Sequence, residues 1–161
     1  CPVPPAQVPG LQSPLREDTD ISDTALDTAN KNIESQSKEP SALRVFKNDI
    51  LSEDLKGKYD FIVSNPPYIS DPEMEELDST VREYEPHLAL KGGKDGLDYY
   101  KSIFEKSYGV LGDGGAVFVE HGHLQGRSVR KICNDSGYGL VGTVKDYGGN
   151  ERVTWGIKHV G

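Results

Sequence analysis

Cysteine, methionine and tryptophan are scarce in this sequence, with two, one and one among 161 residues. The two cysteines, Cys1 and Cys133, are too few for a disulfide framework, and none of the four histidines shows zinc-type spacing with them. Long apolar runs are also missing, since none approaches the roughly 20 residues of a membrane span. We therefore predict no metal site, no membrane partner and a reduced cytoplasmic location, or a mitochondrial one in a eukaryotic source.

Positive charge is in deficit. Lys and Arg number 18 against 26 Asp and Glu, which gives a formal net charge of −8. Proteins that hold nucleic acid non-specifically replace the phosphate counterions with Lys and Arg, and a surplus of carboxylates opposes this. The composition therefore leans against a nucleic-acid substrate, although a local basic patch stays open.

Apolar periodicity is missing from residues 1–19, which carry five prolines and Gly10 as their one glycine. Such a composition is typical of irregular chain. We therefore predict an irregular segment over residues 1–19 and a single domain over residues 20–161.

Helix and strand signals alternate in that domain. Apolar spacing predicts helices over 23–36, 97–111 and 124–136, with Gly137 ending the last one. Strands are predicted at 43–46, 59–63, 116–120, 138–144 and 152–157, with a turn at 112–115, and residues 70–96 read as a long polar connection. This order is typical of an α/β fold with a doubly wound, mostly parallel sheet.

The tetrapeptide Asn65-Pro66-Pro67-Tyr68 directly follows the apolar strand at 59–63. Ligands of open α/β sheets bind beyond the carboxyl ends of strands. Two acceptors, the Asn65 side-chain oxygen and the Pro66 carbonyl, could hold the N–H groups of a planar amide or amino group. Pro67 restricts Pro66 to an extended conformation, and Tyr68 offers a flat face for stacking. The tetrapeptide therefore predicts a site for methyl transfer to a delocalised nitrogen, whereas a merely stiff turn is the competing interpretation.

The sequence resembles the amino-group methyltransferases with an Asn-Pro-Pro-Tyr loop, and among them the HemK-type glutamine methyltransferases of release factors. Outside the loop, the resemblance rests on Val81-Arg-Glu-Tyr-Glu-Pro86, Ala89-Leu90, Gly92-Gly-Lys-Asp-Gly-Leu97, Glu120-His-Gly122, Gln125-Gly126 and Asp146-Tyr-Gly-Gly-Asn-Glu-Arg152.

The resemblance implies S-adenosylmethionine as cofactor and a peptide-chain release factor as protein substrate. It places Asp20 at the cofactor's ribose hydroxyls and Asp49-Ile50 at its adenine ring, although Asp20 alone would read as a helix-capping acid. Asn65 then contacts both the donor methyl and the target nitrogen. Pro66, Pro67 and Tyr68 complete the substrate clamp, with Asn65, Pro66 and Tyr68 as the catalytic set. We expect structural roles for Glu120, as a buried acid, and for Asn150-Glu151-Arg152.

The family's first strand and its glycine-rich loop, which would precede Asp20, have no counterpart in residues 1–19. Two alternatives to glutamine methylation therefore stay open. One is a catalytically inactive fragment of the family that binds the cofactor weakly or not at all. The other is an adenine amino-group methyltransferase of DNA or RNA, which would flip its target base.

Overall fold

Strands and helices alternate along the ranges that the computed structural model describes, which are residues 16–37, 42–76 and 91–161. In chain order the elements of these ranges are β1 Arg16–Asp20, α1 Asp23–Gln36, β2 Leu43–Lys47, β3 Tyr59–Ser64, α2 Asp71–Glu76, α3 Asp98–Val110, β4 Leu111–Glu120, α4 Gly126–Asp135, β5 Leu140–Lys145 and β6 Glu151–Ile157. The α/β fold class is confirmed. The chain divides into two compact units, Cys1–Asp49 and Ile50–Gly161.

In the first unit, β1 and β2 pair in parallel and α1 connects them. Ser22 caps α1, because its Oγ accepts a hydrogen bond from the Ala25 N–H at 3.3 Å. Lys47, at the end of β2, forms an ion pair with Asp23 in the first turn of α1. The Lys47 ammonium lies 2.8 Å from the Asp23 carboxylate. The helix predicted over 23–36 is confirmed.

The prediction of irregular chain over residues 1–19 is wrong for its last part, because Arg16–Asp20 is a strand. This strand has the sequence Arg-Glu-Asp-Thr-Asp, so it lacks the alternation of apolar and polar residues from which a strand is predicted. Its register places Glu17 opposite Arg44, and their charged groups lie 3.8 Å apart. Residues 1–15 lie outside the described ranges.

In the second unit, four strands form one sheet in the order β3-β4-β6-β5. β3 and β4 are parallel, whereas β6 is antiparallel to both β4 and β5. The turn predicted at 112–115 lies inside β4, where the pairing with β3 shifts register and Gly114 adopts a φ of +74°. Because β3 and β4 are parallel neighbours, the segments that follow Ser64 and Glu120 emerge at the same edge of this sheet.

The core lies between this sheet and the helices α3 and α4, which also contact each other. Its buried members are Tyr100, Ile103, Phe104, Leu111, Val117, Val119, Val129, Cys133 and Tyr138. On β3, Phe61 and Val63 are 70% and 78% exposed, whereas Ile62 packs against the core. None of the helices in the described ranges is long and apolar enough to cross a membrane.

The polar connection predicted over 70–96 contains the short helix α2, which periodicity did not reveal. Glu73 supplies half of a capping box before it: the Ser70 N–H donates to Glu73 Oε2 at 2.9 Å, and the Ser70 hydroxyl donates to the same oxygen at 2.6 Å. These bonds lower the pKa of the Glu73 carboxyl. The Ser-x-x-Glu pattern was visible in the sequence. The Val81–Pro86 and Ala89–Leu90 motifs lie outside the described ranges.

Ser107 on α3 presents an opportunity to test this core. Its hydroxyl is fully buried and has no hydrogen-bond partner within the described ranges, whereas the hydroxyl of Ser102 on the same helix donates to the Ile50 carbonyl. Replacement of Ser107 by Ala should raise the free energy of unfolding by about 1 kcal/mol, because an unsatisfied buried hydroxyl is removed.

Calorimetric unfolding of Ser107→Ala and Ser102→Ala is the measurement. Both substitutions gain the same helix propensity, so the difference between them reports on the hydroxyls. A Ser102→Ala protein at least as stable as Ser107→Ala would contradict this description of the core.

Candidate active site

The loop Asn65–Tyr68 begins where β3 ends. Asn65 is exposed, Pro66 is buried, and Pro67 and Tyr68 are half-buried. Ser64 pairs with Val119, one residue before the end of β4, so the loop lies beside the segment that follows β4. The loop thus lies beyond the carboxyl end of β3, as expected, although the residues of β3 are half-buried or exposed and none is buried. The two residues that supply the candidate acceptors differ in solvent exposure, since Asn65 is exposed and Pro66 is buried.

A glycine-containing segment, residues 91–97, packs on the loop from one side. Ile69 and Lys91 form a parallel bridge, and the Gly92 N–H donates to the Ile69 carbonyl at 2.7 Å. A Cβ on Gly92 would lie 2.9 Å from the Pro67 oxygen. At Gly96, where φ is +70°, a Cβ would lie 2.5 Å from the Tyr68 oxygen. These two glycines therefore allow the close approach of two backbones.

The Gln125 side chain connects this loop to the rest of the site. Its Nε2 donates to the Tyr68 carbonyl at 2.9 Å and to the Gly96 carbonyl at 3.3 Å. Its Oε1 accepts from the Gly122 N–H at 3.0 Å and from the Tyr100 hydroxyl at 3.4 Å. All four hydrogen-bonding positions of the carboxamide are thus used. In the sequence, Gln125-Gly126 is one of the motifs that carry the resemblance, and no pattern there assigns Gln125 a role.

Below Gln125, the end of β4 is held by buried polar groups. The single proton of the Tyr100 hydroxyl is shared between Gln125 Oε1 and the Glu120 carbonyl, which lies 3.2 Å away, and burial raises the pKa of Tyr100. The Glu120 side chain is exposed, so its prediction as a buried acid is wrong. The buried residue at this strand end is its neighbour, His121.

His121 is fully buried, and its two ring nitrogens contact Gly122 and Thr154. Its Nδ1 lies 2.9 Å from the Gly122 carbonyl, which can only accept, so Nδ1 carries the proton. Its Nε2 then accepts from the Thr154 hydroxyl, 3.0 Å away on β6. Burial lowers the pKa of His121, against the Gly122 hydrogen bond and Glu151, which raise it. The ring is therefore neutral and serves as a structural tie between β4 and β6.

The turn between β5 and β6 is built around the Asp146 carboxylate. It accepts from the Asn150 N–H at 2.9 Å and from Arg152 Nε at 3.0 Å, and these bonds lower its pKa, the one to Arg152 most. Glu151 binds Arg130 of α4, with oxygen and nitrogen 2.6 Å apart. These contacts agree with the structural roles expected for Asn150, Glu151 and Arg152.

The residues expected to contact the cofactor divide between the two units. Asp20 and Asp49 belong to the first unit, where Asp20 ends β1 and Asp49 follows β2, the parallel neighbour of β1. The Asn48 N–H donates to the Asp20 carbonyl at 3.2 Å, which brings these two strand ends together. The Asp20 carboxylate is exposed, and its Oδ1 accepts the Ser22 N–H at 2.7 Å. Asp20 therefore supports the start of α1, while Ser22 is the capping residue.

Ile50 and Asn65 belong to the second unit. The Ile50 carbonyl accepts from Lys106 Nζ at 2.8 Å as well as from Ser102, both on α3, and the Ile50 side chain packs partly against the core. Its backbone is thus fixed from one side. Within the described ranges, no group of three or more His, Cys, Asp or Glu side chains could hold a metal ion.

Several solved structures similar to this one are methyltransferases. A methyltransferase from Pyrococcus furiosus matches 89% of this chain with a TM-score of 0.65 and 21% identity, over 62% of its own length. The S-adenosylmethionine-dependent methyltransferase SibL matches 89% of this chain with a TM-score of 0.60 and 15% identity, over 43% of its length. At these identities the likeness defines the fold, which is that of class I methyltransferases.

A family model described as Eco57I restriction-modification methylase matches residues 11–134. The chain belongs to this family.

The names of the sequence relatives are more specific than the description of this family. Release factor glutamine methyltransferases of Clostridium botulinum and Agrobacterium fabrum are 41% and 40% identical over 136 and 148 residues, which is 83% and 92% of this chain. The chain spans 48% of the length of each. The resemblance to the HemK-type methyltransferases is thereby confirmed, and the chain covers about half of the length of these relatives.

The close approach at Gly96 generates a prediction. A Gly96→Ala substitution adds a Cβ beside the Tyr68 oxygen and Gln125 Nε2 and forces a non-glycine residue to a φ of +70°. We expect it to lower the free energy of unfolding by at least about 2 kcal/mol.

Gly109→Ala on α3 is the matched control, since its Cβ would meet nothing within 4 Å. In a helix this change should stabilise the protein by up to about 1 kcal/mol. Urea unfolding of both proteins is the measurement. Equal stability of the two variants would show that the segment 91–97 does not pack on the loop as described.

Proposed function

We propose that this chain is the catalytic part of an enzyme that methylates the glutamine side chain of a peptide-chain release factor, with S-adenosylmethionine as methyl donor. One observation carries the proposal: the Asn65–Tyr68 loop lies beyond the end of β3, its Tyr68 carbonyl accepts a hydrogen bond from Gln125, and the Asn65 side chain is exposed. The names of the relatives from Clostridium botulinum and Agrobacterium fabrum support the substrate.

The chemistry of the loop matches an amide substrate. An amide nitrogen is a weak nucleophile because its lone pair is delocalised into the carbonyl. Asn65 Oδ1 and the Pro66 carbonyl accept its two N–H groups and so direct the lone pair out of the amide plane. Pro67 and the packed Gly92 restrict the backbone that presents the Pro66 carbonyl. The loop thus contributes orientation and charge stabilisation, and the nitrogen loses its proton after the methyl group arrives.

The Tyr68 ring serves as a wall of the clamp. It is half-buried, and Gly122 beside it would bring a Cβ within 3.5 Å of Tyr68 Cδ2. That edge of the ring therefore lies beside the segment that follows β4. A flat amide stacks on the accessible face of the ring.

The residues of the first unit fit the expected cofactor. Asp20 Oδ1 is engaged by the Ser22 N–H, and the exposed carboxylate has further acceptor positions for the two hydroxyls of a ribose. Asp49 and Ile50 are the proposed contacts of the adenine ring. When bound, S-adenosylmethionine supplies an electrophilic methyl group. A cytoplasmic location stays a prediction.

Replacement of Asn65 by Ala tests the clamp. The side chain is exposed, so its loss should leave stability nearly unchanged while one positioned acceptor disappears. We expect the barrier to methyl transfer to rise by about 3 kcal/mol, roughly a hundredfold or more in kcat.

The control is Asn134→Ala, which removes an asparagine whose Nδ2 donates to the Arg130 carbonyl on α4. Steady-state transfer rates of both proteins, with thermal unfolding measured in parallel, are the readout. An Asn65→Ala protein within twofold of the parent would remove Asn65 from the mechanism.

Salt dependence separates a protein substrate from a nucleic acid. Transfer to a release factor depends on the amide clamp and on surface docking, so it should change only mildly between about 50 and 200 mM salt. Binding of an adenine-containing duplex through several phosphates would weaken about a thousandfold over the same range, through counterion release. The net charge of −8 favours the first behaviour.

The measurement is methyl transfer to a purified release factor and to a duplex, each across this salt range. Transfer to the duplex alone would replace the glutamine assignment by the adenine assignment. Transfer to neither substrate would favour an inactive member of the family.

A further inference from the structure

Gln125 is placed unusually for a residue at the start of a helix. It is the N-cap residue of α4, a position where Ser, Thr, Asp or Asn commonly accept a hydrogen bond from the first turn. The Gln125 side chain makes no such bond. It turns instead to the carbonyls of Tyr68 and Gly96 and to the Gly122 N–H. The side chain therefore serves the loop and not the helix.

We propose that Gln125 is a positioning residue of the amide clamp, which fixes the Tyr68 end of the loop and thereby the direction of the Pro66 carbonyl. The inference rests on the proposed function. Three segments meet at this carboxamide: the loop after β3, the segment 91–97 and the turn after β4. An amide is suited to the task, because the side chain must donate twice and accept twice.

The path from Gln125 to the reacting group is short. Tyr68 is two residues from Pro66, and Pro67 between them has a fixed φ, so a displaced Tyr68 carbonyl displaces the Pro66 carbonyl with it. Misplacement by about 1 Å in a positioned group costs on the order of a hundredfold in rate. Gln125 itself does not touch the substrate in this scheme.

Two substitutions at Gln125 separate positioning from packing. Gln125→Leu keeps a similar volume and removes every hydrogen bond of the side chain. Gln125→Glu keeps the acceptors for Gly122 and Tyr100 and, when ionised, turns an oxygen toward the Tyr68 and Gly96 carbonyls. We expect both variants to lose at least tenfold in kcat near neutral pH, with the KM for S-adenosylmethionine within threefold of the parent.

Tyr138→Phe is the matched control. Its hydroxyl donates to the Phe104 carbonyl at 3.2 Å, so the change also removes a buried hydrogen bond from the core that packs on α3. It should destabilise the protein without changing kcat at temperatures well below unfolding. A merely structural role of Gln125 predicts the same pattern for Gln125→Leu.

The pH profile of Gln125→Glu gives a second readout. Once protonated, the introduced carboxyl group can donate one hydrogen bond to the Tyr68 carbonyl, so the kcat ratio of the variant to the parent should rise as pH falls. Tyr100, His121 and Glu151 lie around this site and are present in both proteins, so the ratio isolates the substituted group. A ratio independent of pH, or kcat losses below threefold in both variants, would overturn the proposal.

Hydrogen exchange distinguishes failure of this inference from failure of the proposed function. The Gly122 amide donates to Gln125 Oε1, so Gln125→Leu should accelerate its exchange at least tenfold, and the ¹³C shift of the Tyr68 carbonyl should change. If the parent transfers no methyl group, the function fails while these signals still report on the loop. If both signals are unchanged in Gln125→Leu, the positioning role is wrong whatever the activity.

Discussion

The hydrogen bonds of the Gln125 carboxamide are the constraint on which the site depends. They connect segments separated by as many as 57 residues in the chain, since Gln125 Nε2 reaches the Tyr68 carbonyl. Backbone groups that leave a strand end lose their ladder partners, and half-buried ones must find others. One carboxamide supplies partners to Tyr68, Gly96 and Gly122 together. The loop therefore has a defined shape before a substrate arrives.

The remainder of the second unit supports this carboxamide. Tyr100 on α3 binds both Gln125 and the Glu120 carbonyl, and its ring lies in the core. His121 fastens the end of β4 to Thr154 as a neutral ring. Arg130 of α4 is tied to β5 and β6 through Thr143 and Glu151. The helix that carries Gln125 at its start is therefore fixed against the sheet at several points, as an orienting group requires.

Much of the fold was predictable, because its elements are locally consistent. Helix α1 has a capping serine and an apolar face, and the prediction over 23–36 matches it. Strand β1 was missed because its five residues are polar or charged, so that only the pairing with β2 defines it. The position of β6 between β4 and β5 also depends on long-range pairing, which periodicity does not contain.

The candidate site likewise contains residues that local sequence predicts and residues whose roles depend on long-range contacts. The Asn65–Tyr68 loop could be found from its proline pair after an apolar strand, since both features are local. The role of Gln125 could not, because its partners come from three distant segments and a glutamine beside a helix start reads as ordinary. The sequence around His121 indicates no role for this residue, and only the Thr154 contact reveals its structural use. The roles assigned to Asp20, Asp49 and Ile50 remain predictions.

The central claim is that this loop presents an amide nitrogen for methyl transfer. The most direct test incubates the protein with ¹³C-methyl S-adenosylmethionine and an equimolar mixture of a release factor and an adenine-containing duplex, and identifies the labelled product by NMR and mass spectrometry. The account predicts label on one glutamine side-chain nitrogen of the release factor. Label on adenine, with the release factor unlabelled, would contradict it.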